Sequence, residues 1–248
     1  MRIGVKIHRI KSCPSTNDAA KELAMAGGKE GTVIISEEQT RGKGTRGRSW
    51  YSARKKGIYL SVILHPSRPN ISLLPLMAGL AVNEAIFSTL DIRTKLKWPN
   101  DIIWGKEKLG GILCESGFLG NRINFVILGI GLNVDHGKDD FPDEIRHQAT
   151  SLTLITKRKV SEDLLLQNLW RTLNFWYSLF RDGEGRAIVR VFQQNSVLSL
   201  EEETTLITEK GERTGIYKGI DPQGGLILES QGEKRTFFSA EIKTTKDE

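Results

Sequence analysis

The sequence predicts an α+β fold: a mixed or antiparallel sheet with helices packed on one side, followed by a small C-terminal β-barrel. Three observations predict it. Short β-branched runs separated by turn residues recur between Thr32 and Val134. Two stretches, from Leu73 and from Ser161, repeat apolar residues at helical spacing. After Asn195 the chain changes to short alternating runs broken by Lys210-Gly211, Asp221-Pro-Gln-Gly-Gly225 and Gln231-Gly232. Mostly antiparallel pairing with helices on one face favours α+β layers over a doubly wound sheet.

The elements follow in order. Ile3, Val5 and Ile7 alternate as in a strand, and Ser15-Thr-Asn-Asp18 has the form of a capping box ahead of a short helix that stops at Gly27-Gly28. Thr32–Ser36 and Gly57–Leu64 are β-branched strands, and the loop between them is rich in glycine and arginine. Ser72 caps a helix with Leu73, Leu76, Met77, Leu80, Ala81 and Ala85 on its core face, and Pro75 is tolerated in the first turn. Lys95–Trp98 leads through Pro99-Asn-Asp101 into a hairpin turning near Gly105–Glu107, and Phe125–Val134 is a further strand. Ser161 opens a long helix through Leu164, Leu165, Leu169, Leu173, Trp176 and Phe180 that ends at Gly183; Ala187–Gln194 gives one more. The domain boundary is placed near Ser196, giving one domain over 1–195 and the barrel over 196–248.

A chain of 248 residues buries roughly 70–75% of its unfolded surface, enough for one sizeable domain and a small one. Thirty-six Lys and Arg against thirty Asp and Glu give a net charge of +6, which favours acidic partners without naming them. The two cysteines, Cys13 and Cys114, have no metal or redox spacing, and the four histidines form no zinc pattern. No signal peptide or apolar segment of 18 residues is read, so a cytoplasmic protein without a membrane partner is expected.

Chemistry concentrates in four segments. Between Gln39 and Asn83 lie eight Lys or Arg and no Asp or Glu; four of the cations, Arg41, Lys43, Arg46 and Arg48, sit in the stretch ending at Trp50. Gly42, Gly44 and Gly47 free that backbone to approach an anion. The G-x-G-x-x-G spacing is not a dinucleotide fingerprint, because a strand follows it and the next acid is Glu84; the phosphate-loop spacing is absent too. In Lys97-Trp-Pro-Asn-Asp101, Pro99 fixes the direction in which Asn100 and Asp101 leave the strand end. Lys108-Leu-Gly-Gly-Ile-Leu113 and Gly129-Ile-Gly-Leu-Asn133 place glycines inside strands, where they mark close approach to the backbone. Singly, each segment also reads as a solvated loop, a turn acid, a surface lysine or a bulge. An RNA- or DNA-binding module is a second reading of the basic loop, with affinity falling steeply in salt and no use for Lys108.

Taken together, Ser15-Thr16-Asn17, the glycine-arginine loop ending in Trp50, Lys97–Asp101, Lys108–Leu113, Gly129–Asn133 and Ala149-Thr-Ser-Leu152 resemble the ordered motifs of biotin protein ligases, over roughly residues 1–190. The resemblance implies a class II synthetase-like catalytic domain with an SH3-like C-terminal barrel. It implies biotin and ATP as substrates, Mg²⁺ as the nucleotide's partner, a biotinyl-adenylate intermediate, a carboxylase's biotin carboxyl carrier domain as acceptor, and a homodimer. Larger members carry an N-terminal DNA-binding winged helix; nothing before Ser15 forms a helix-turn-helix, so no DNA partner is expected. Lipoate ligases share the expected fold, but their arginine-glycine signature is not seen.

By this resemblance Lys108 bridges the biotin carboxylate and the α-phosphate, and Arg46 and Arg48 neutralise phosphates. Asn100, Asp101 and Asn133 hold the nucleotide, with Asp101 a ligand for Mg²⁺. Ser15, Thr16, Asn17, Gln39 and Lys43 serve biotin, Gly42, Gly111, Gly129 and Gly131 leave it room, and Trp50 walls both ligands. One departure stands out: where the family commonly reads Gly-Arg-Gly-Arg, this chain has Gly42-Lys-Gly-Thr45, a point charge and a hydroxyl in place of two guanidinium forks.

Overall fold

Strands β1 (Ile7–Ile10), β2 (Val33–Ser36), β3 (Gly57–Leu64), β4 (Lys95–Lys97), β5 (Asp101–Trp104), β6 (Glu107–Leu119) and β7 (Arg122–Asn133) form one sheet in the spatial order β1-β2-β3-β7-β6-β5-β4. The structure is a computed structural model that describes residues 2–67 and 70–243. Only β1 and β2 run parallel; every other pair in this sheet is antiparallel. The predicted hairpin at Gly105 is β5–β6, and β6–β7 is a longer one.

Alternation in β3 divides the sheet into two unlike faces. Ile58, Leu60, Val62 and Leu64 point to the main core, where they meet α2 (Leu73–Leu90), α5 (Glu162–Asp182) and α6 (Gly185–Gln194). Gly57, Tyr59, Ser61 and Ile63 take the other face. There, only α1 (Thr16–Met25) packs on the sheet, burying Ala20 and Ala24 against Ile34, Ile63, Phe125 and Ile127. The long helices thus cover one face as expected, and the short α1 is an addition on the opposite one. That leaves part of the second face open, and the candidate site lies on it. Two short helices, α3 (Asp143–Arg146) and α4 (Leu152–Thr156), follow β7 and border the same region.

Helix α5 is as predicted: Ser161 Oγ accepts from the Leu164 amide and Gly183 closes the helix in the left-handed conformation. Helix α2 is long and apolar enough on average to cross a membrane, although it carries Asn83, Glu84, Ser88 and Thr89, so by length and composition it contradicts the expectation that no 18-residue apolar segment exists. Twelve of its 18 residues are buried between the sheet and α5, which makes it a core helix.

Three local readings need correction. Val5 is 74% exposed while Ile3 is buried, because Gly4 takes a left-handed φ of 85° and breaks the alternation; β1 begins only at Ile7. Ser15 occupies the N-cap position of α1 without a side-chain bond to the helix, and Asp18 turns outward to Lys43, so no capping box forms. Ser72 likewise caps nothing; its hydroxyl reaches Asn70 Oδ1 (2.8 Å) and the Gln223 carbonyl.

Strands β8 (Glu203–Thr208), β9 (Gly211–Ile220), β10 (Leu226–Ser230), β11 (Glu233–Phe237) and β12 (Glu241–Ile242) form a five-stranded antiparallel sheet in the order β11-β10-β9-β8-β12. Residues 244–248 of the expected barrel lie outside the described residues. The two sheets share one continuous core that includes Phe192, Leu198, Tyr217 and Leu226. Polar ties add to it: Trp98 Nε1 donates to the Gly224 carbonyl at 3.0 Å, and Leu96 exchanges backbone bonds with Asn195 and Val197. The Lys97–Asp101 segment is therefore clamped from both sides of the link between the sheets.

Candidate active site

Register across the second face of the main sheet builds a floor. Lys97 pairs with Asp101, Asp101 with Gly111, Gly111 with Gly131, and Gly131 with Tyr59. Residues opposite one another share a face, so these five form one row. Gly129, two residues along from Gly131, lies beside it opposite Ser61. Three glycines on one face of two adjacent strands remove the side chains that would fill the space above them. The result is a cavity of about 540 Å³, within the range that holds a small-molecule ligand.

The vacated space has defined walls. A Cβ on Gly131 would stand 2.5 Å from the Trp50 ring, and one on Gly129 would stand 2.3 Å from Asn17 Oδ1. Trp50 thus lies flat along the row, with Lys108 Nζ 5.6 Å from its ring centroid, within cation–π range. Lys108 reaches this place because a bulge between Ile102 and Ile103 shifts the β5–β6 register, and because its backbone exchanges bonds with Gln148 and Thr150. Its ammonium sits 2.6 Å from Asp101 Oδ1, an ion pair whose angles fall outside hydrogen-bond geometry.

One end of the cavity is lined by neutral polar side chains that bond one another, backed by Glu115. Ser61 Oγ lies 2.8 Å from Thr16 Oγ1 and 2.6 Å from Asn17 Oδ1. The Thr16 hydroxyl and amide both donate to Gln39 Oε1, Gln39 Nε2 donates to Ser52 Oγ, and Asn17 Nδ2 donates to Glu115. Ser15, Thr16 and Asn17 are all buried. Each is fixed by the first turn of α1, and so is pre-set to meet a polar heterocycle.

The other end carries charge. The basic loop is a tight hairpin: Trp50 N donates to Gly42 O at 2.8 Å and Gly44 N to Arg48 O at 2.7 Å. A Cβ on Gly42 would collide with Trp50 O at 2.3 Å, so Gly42 secures the hairpin itself. At the tip Arg46 takes a left-handed φ of 57° and turns to the Ile207 carbonyl (3.3 Å) and to Glu241 (4.0 Å). Arg48 Nη1 meets both Glu241 oxygens, at 3.0 and 3.2 Å. Lys43 pairs with Asp18, which raises its pKa. Lys97 is half-buried, and desolvation by that burial lowers its pKa.

Of the residues singled out in the sequence, Ser15, Thr16, Asn17, Gln39, Lys43, Arg48, Trp50, Asn100, Asp101, Lys108, Gly111, Gly129, Gly131 and Asn133 all line this one cavity. Gly42 and Arg46 stand behind it. The amides of Asn100 and Asn133 are already committed, donating to Ile112 O at 2.9 Å and Thr150 O at 3.0 Å. Their side chains therefore tie strand ends together and leave only the amide oxygens uncommitted as acceptors. Sequence reasoning missed Lys97 as an individual residue, Phe141, Ile145 and Val197 as lining, and Glu241 altogether. Phe141, Ile145 and Val197 carried an apolar signal and no more; Glu241 carried none.

Comparison with known proteins decides what this cavity belongs to. Residues 9–133 match the model of the Biotin/lipoate A/B protein ligase family, and residues 199–243 match that of the Biotin protein ligase C terminal domain. The Bacillus spizizenii bifunctional ligase/repressor BirA is 35% identical over 233 residues, covering 92% of this chain and 71% of the relative. The chain belongs to the biotin/lipoate protein ligase family. A biotin–acetyl-CoA-carboxylase ligase of Paracoccus denitrificans is 29% identical over 237 residues, covering 92% of this chain and 96% of its own length. Among solved structures, the Aquifex aeolicus biotin protein ligase in complex with biotin and ATP superposes with a TM-score of 0.83 at 29% identity, covering 96% of this chain and 98% of the other. The two matched segments fall on separate sheets; the cavity lies on the first, and Glu241 is the second segment's contribution to its lining.

Proposed function

We propose that this family member is an ATP-dependent biotin–protein ligase. It joins the biotin carboxylate to AMP, releases pyrophosphate, and passes the biotinyl group to one lysine of a carboxylase's carrier domain. The observation that carries the reading is the position of Lys108, at the junction of a buried uncharged network and a cluster of cations. A reaction between a carboxylate and a phosphate brings anions together, so fixed positive charge does more for it than an acid or a base.

In the first step a biotin carboxylate oxygen attacks the α-phosphorus. The new bond is carbonyl-O–P, the bond to the β-phosphate oxygen breaks, and pyrophosphate leaves with that electron pair. Lys108 Nζ neutralises both reactants as they close; it is freed for this by exchanging Asp101 for the incoming anions. In the second step the carrier lysine amine attacks the activated carbonyl, forming an amide, expelling AMP and losing one proton. The Ser15, Thr16 and Gln39 end receives the ureido ring, with Trp50 across the junction. Gln39 presents its carbonyl to Thr16 and its amide to Ser52, so the ligand is read by a network that does not have to rearrange.

A magnesium ion accompanying ATP fits the residues present. Among the described residues no three His, Cys, Asp or Glu gather in one place, and Mg²⁺ is suited to one carboxylate, here Asp101, with phosphates and water completing its shell. When bound it adds charge neutralisation at the phosphates. No nucleic-acid role enters the proposal: Lys43, Arg46 and Arg48 of the loop pair with Asp18 and Glu241 at the cavity. Two free thiols and a dependence on ATP support a cytoplasmic location. If two copies pair, β3 is not the contact, since it is buried throughout in the middle of the sheet.

The test is biotin-dependent exchange of labelled pyrophosphate into ATP. Wild-type protein should exchange, and Lys108→Ala should lose at least about 10²-fold, the scale of removing one preorganised donor to developing charge. Absence of biotin-dependent exchange in the wild type would sink the proposal.

A further inference from the structure

The cavity's cations are not equivalent. Lys43, Arg48 and Lys108 are each paired with a carboxylate, on Asp18, Glu241 and Asp101 respectively, and Lys106 is exposed to water. Lys97 is half-buried, lines the cavity, and among the described residues has neither an ion pair nor a hydrogen-bond acceptor for its ammonium. A buried ammonium without an acceptor is costly to keep unless something else supplies one. Its surroundings hold it in place all the same. Leu96 is bonded by its backbone to Asn195 and Val197, Trp98 is tied to Gly224, and the Lys97–Asp101 pairing sets which face the side chain takes.

The position of Lys97 along the row tells which anion is missing. Counting from the uncharged end, the row runs Gly131, Gly111 with Lys108 above it, Asp101, and then Lys97 at the sheet edge. Lys108 is where carboxylate and α-phosphate meet, so Lys97 lies one strand spacing or more beyond, away from biotin. The carboxylates of Asp101 and Glu241 attract the charge of Lys97, and the cations of Lys108 and Arg48 repel it, yet neither carboxylate pairs with it directly. The Glu241 carboxylate, seated on Arg48, marks a spot where this protein already accommodates negative charge.

We propose that Lys97, together with Arg48, is the seat of the β- and γ-phosphates of ATP and hence of the departing pyrophosphate. The proposal rests on the ligase reading above and deepens it. As the bond between the α-phosphorus and the bridging oxygen breaks, negative charge grows on pyrophosphate, and Lys97 supplies the acceptor-free ammonium that meets it. The adenylate that stays behind has no β-phosphate and makes no use of this lysine.

The two half-reactions separate the possibilities. In Lys97→Gln, pyrophosphate exchange should show a KM for pyrophosphate and for ATP raised at least tenfold. Transfer of biotin from chemically prepared biotinyl-AMP to the carrier domain, a step without pyrophosphate, should keep more than half its rate. Lys97→Arg, which keeps the charge, should recover most of the pyrophosphate KM. If Lys97→Gln slows transfer from prepared adenylate as much as it slows exchange, or leaves the pyrophosphate KM unchanged, the proposal is overturned while the ligase reading stands. If wild-type protein exchanges no pyrophosphate at all, both fall together, and that outcome is distinct from the first two.

Discussion

The two ends of the cavity are held in opposite ways. At the uncharged end Thr16, Asn17, Gln39, Ser52 and Ser61 bond one another through buried side chains borne on α1, β3 and the loop stem. At the charged end Lys108 and Arg48 are held by carboxylates that a phosphate must displace, and Arg48 is about half exposed. A site that must recognise one fixed heterocycle gains from rigid, satisfied partners; a site that must receive, transfer and release anions needs partners it can exchange. Fixed hydrogen bonds therefore serve selection here, and replaceable ion pairs serve turnover.

Breaking the charged end at its centre should have the largest consequence. Lys108→Ala, at a loss of about 10²-fold or more in pyrophosphate exchange, should weaken biotin binding by calorimetry much less, because Lys108 meets only the carboxylate of biotin and the neutral network holds the ring. Equal loss of both would mean that the two ends act as one unit.

The uncharged end is best tested by refilling the space that glycine clears. In Gly129→Ala the new methyl would start 2.3 Å from Asn17 Oδ1, itself bonded to Ser61, so the network must shift. We expect biotin affinity to fall at least tenfold, at a cost of about 1–3 kcal/mol for overpacking a tight site, with the KM for ATP changed much less. A variant that binds biotin normally would show that Gly129 is not part of the biotin floor.

The same contrast explains how much was legible in the sequence. The glycines of β6 and β7 and Lys108 could be read because their meaning is local: a glycine inside a strand and a lysine beside it; Ser15-Thr16-Asn17 entered the site through the family resemblance, while its local reading as a capping box failed. The long helix from Ser161 to Gly183 was legible for the same reason, since its cap, its period and its stop all lie within its own residues. What escaped depends on residues brought together from afar. Glu241 meets Arg48 across 193 positions of sequence, and its own neighbourhood is an ordinary two-residue strand. Asp18 failed as a capping residue because Lys43, 25 positions on, offered it a full charge in place of backbone amides. That the bulk of helix lies on one face and the site on the other followed only from the register of β3.

A smaller effect should come from the exchangeable pair itself. Glu241→Gln removes the carboxylate that competes with phosphate for Arg48, so the KM for ATP should fall about two- to fivefold at low ionic strength, as expected for an exposed pair worth about 0.2–1 kcal/mol. The difference should shrink as salt is added. A rise in the KM would instead make Glu241 a support that aims Arg48 at the nucleotide, and the contrast between rigid and exchangeable ends would lose one of its members.

The smallest change expected lies at the hairpin tip, where Thr45 lines the cavity and its hydroxyl is 3.5 Å from Arg48 Nη2. A threonine offers the bound adenylate at most one hydroxyl there, whereas an arginine would offer a planar fork that suits phosphate. Wild-type protein should therefore lose some activated biotin before the carrier arrives, visible as biotin on bystander lysines in a mixture of unrelated proteins. Thr45→Arg should cut that labelling about two- to fivefold, the scale of one added exposed charge contact, with carrier biotinylation maintained. If bystander labelling is undetectable in the wild type, retention does not depend on the tip, and Lys108 with the closed hairpin stem must suffice to hold the adenylate.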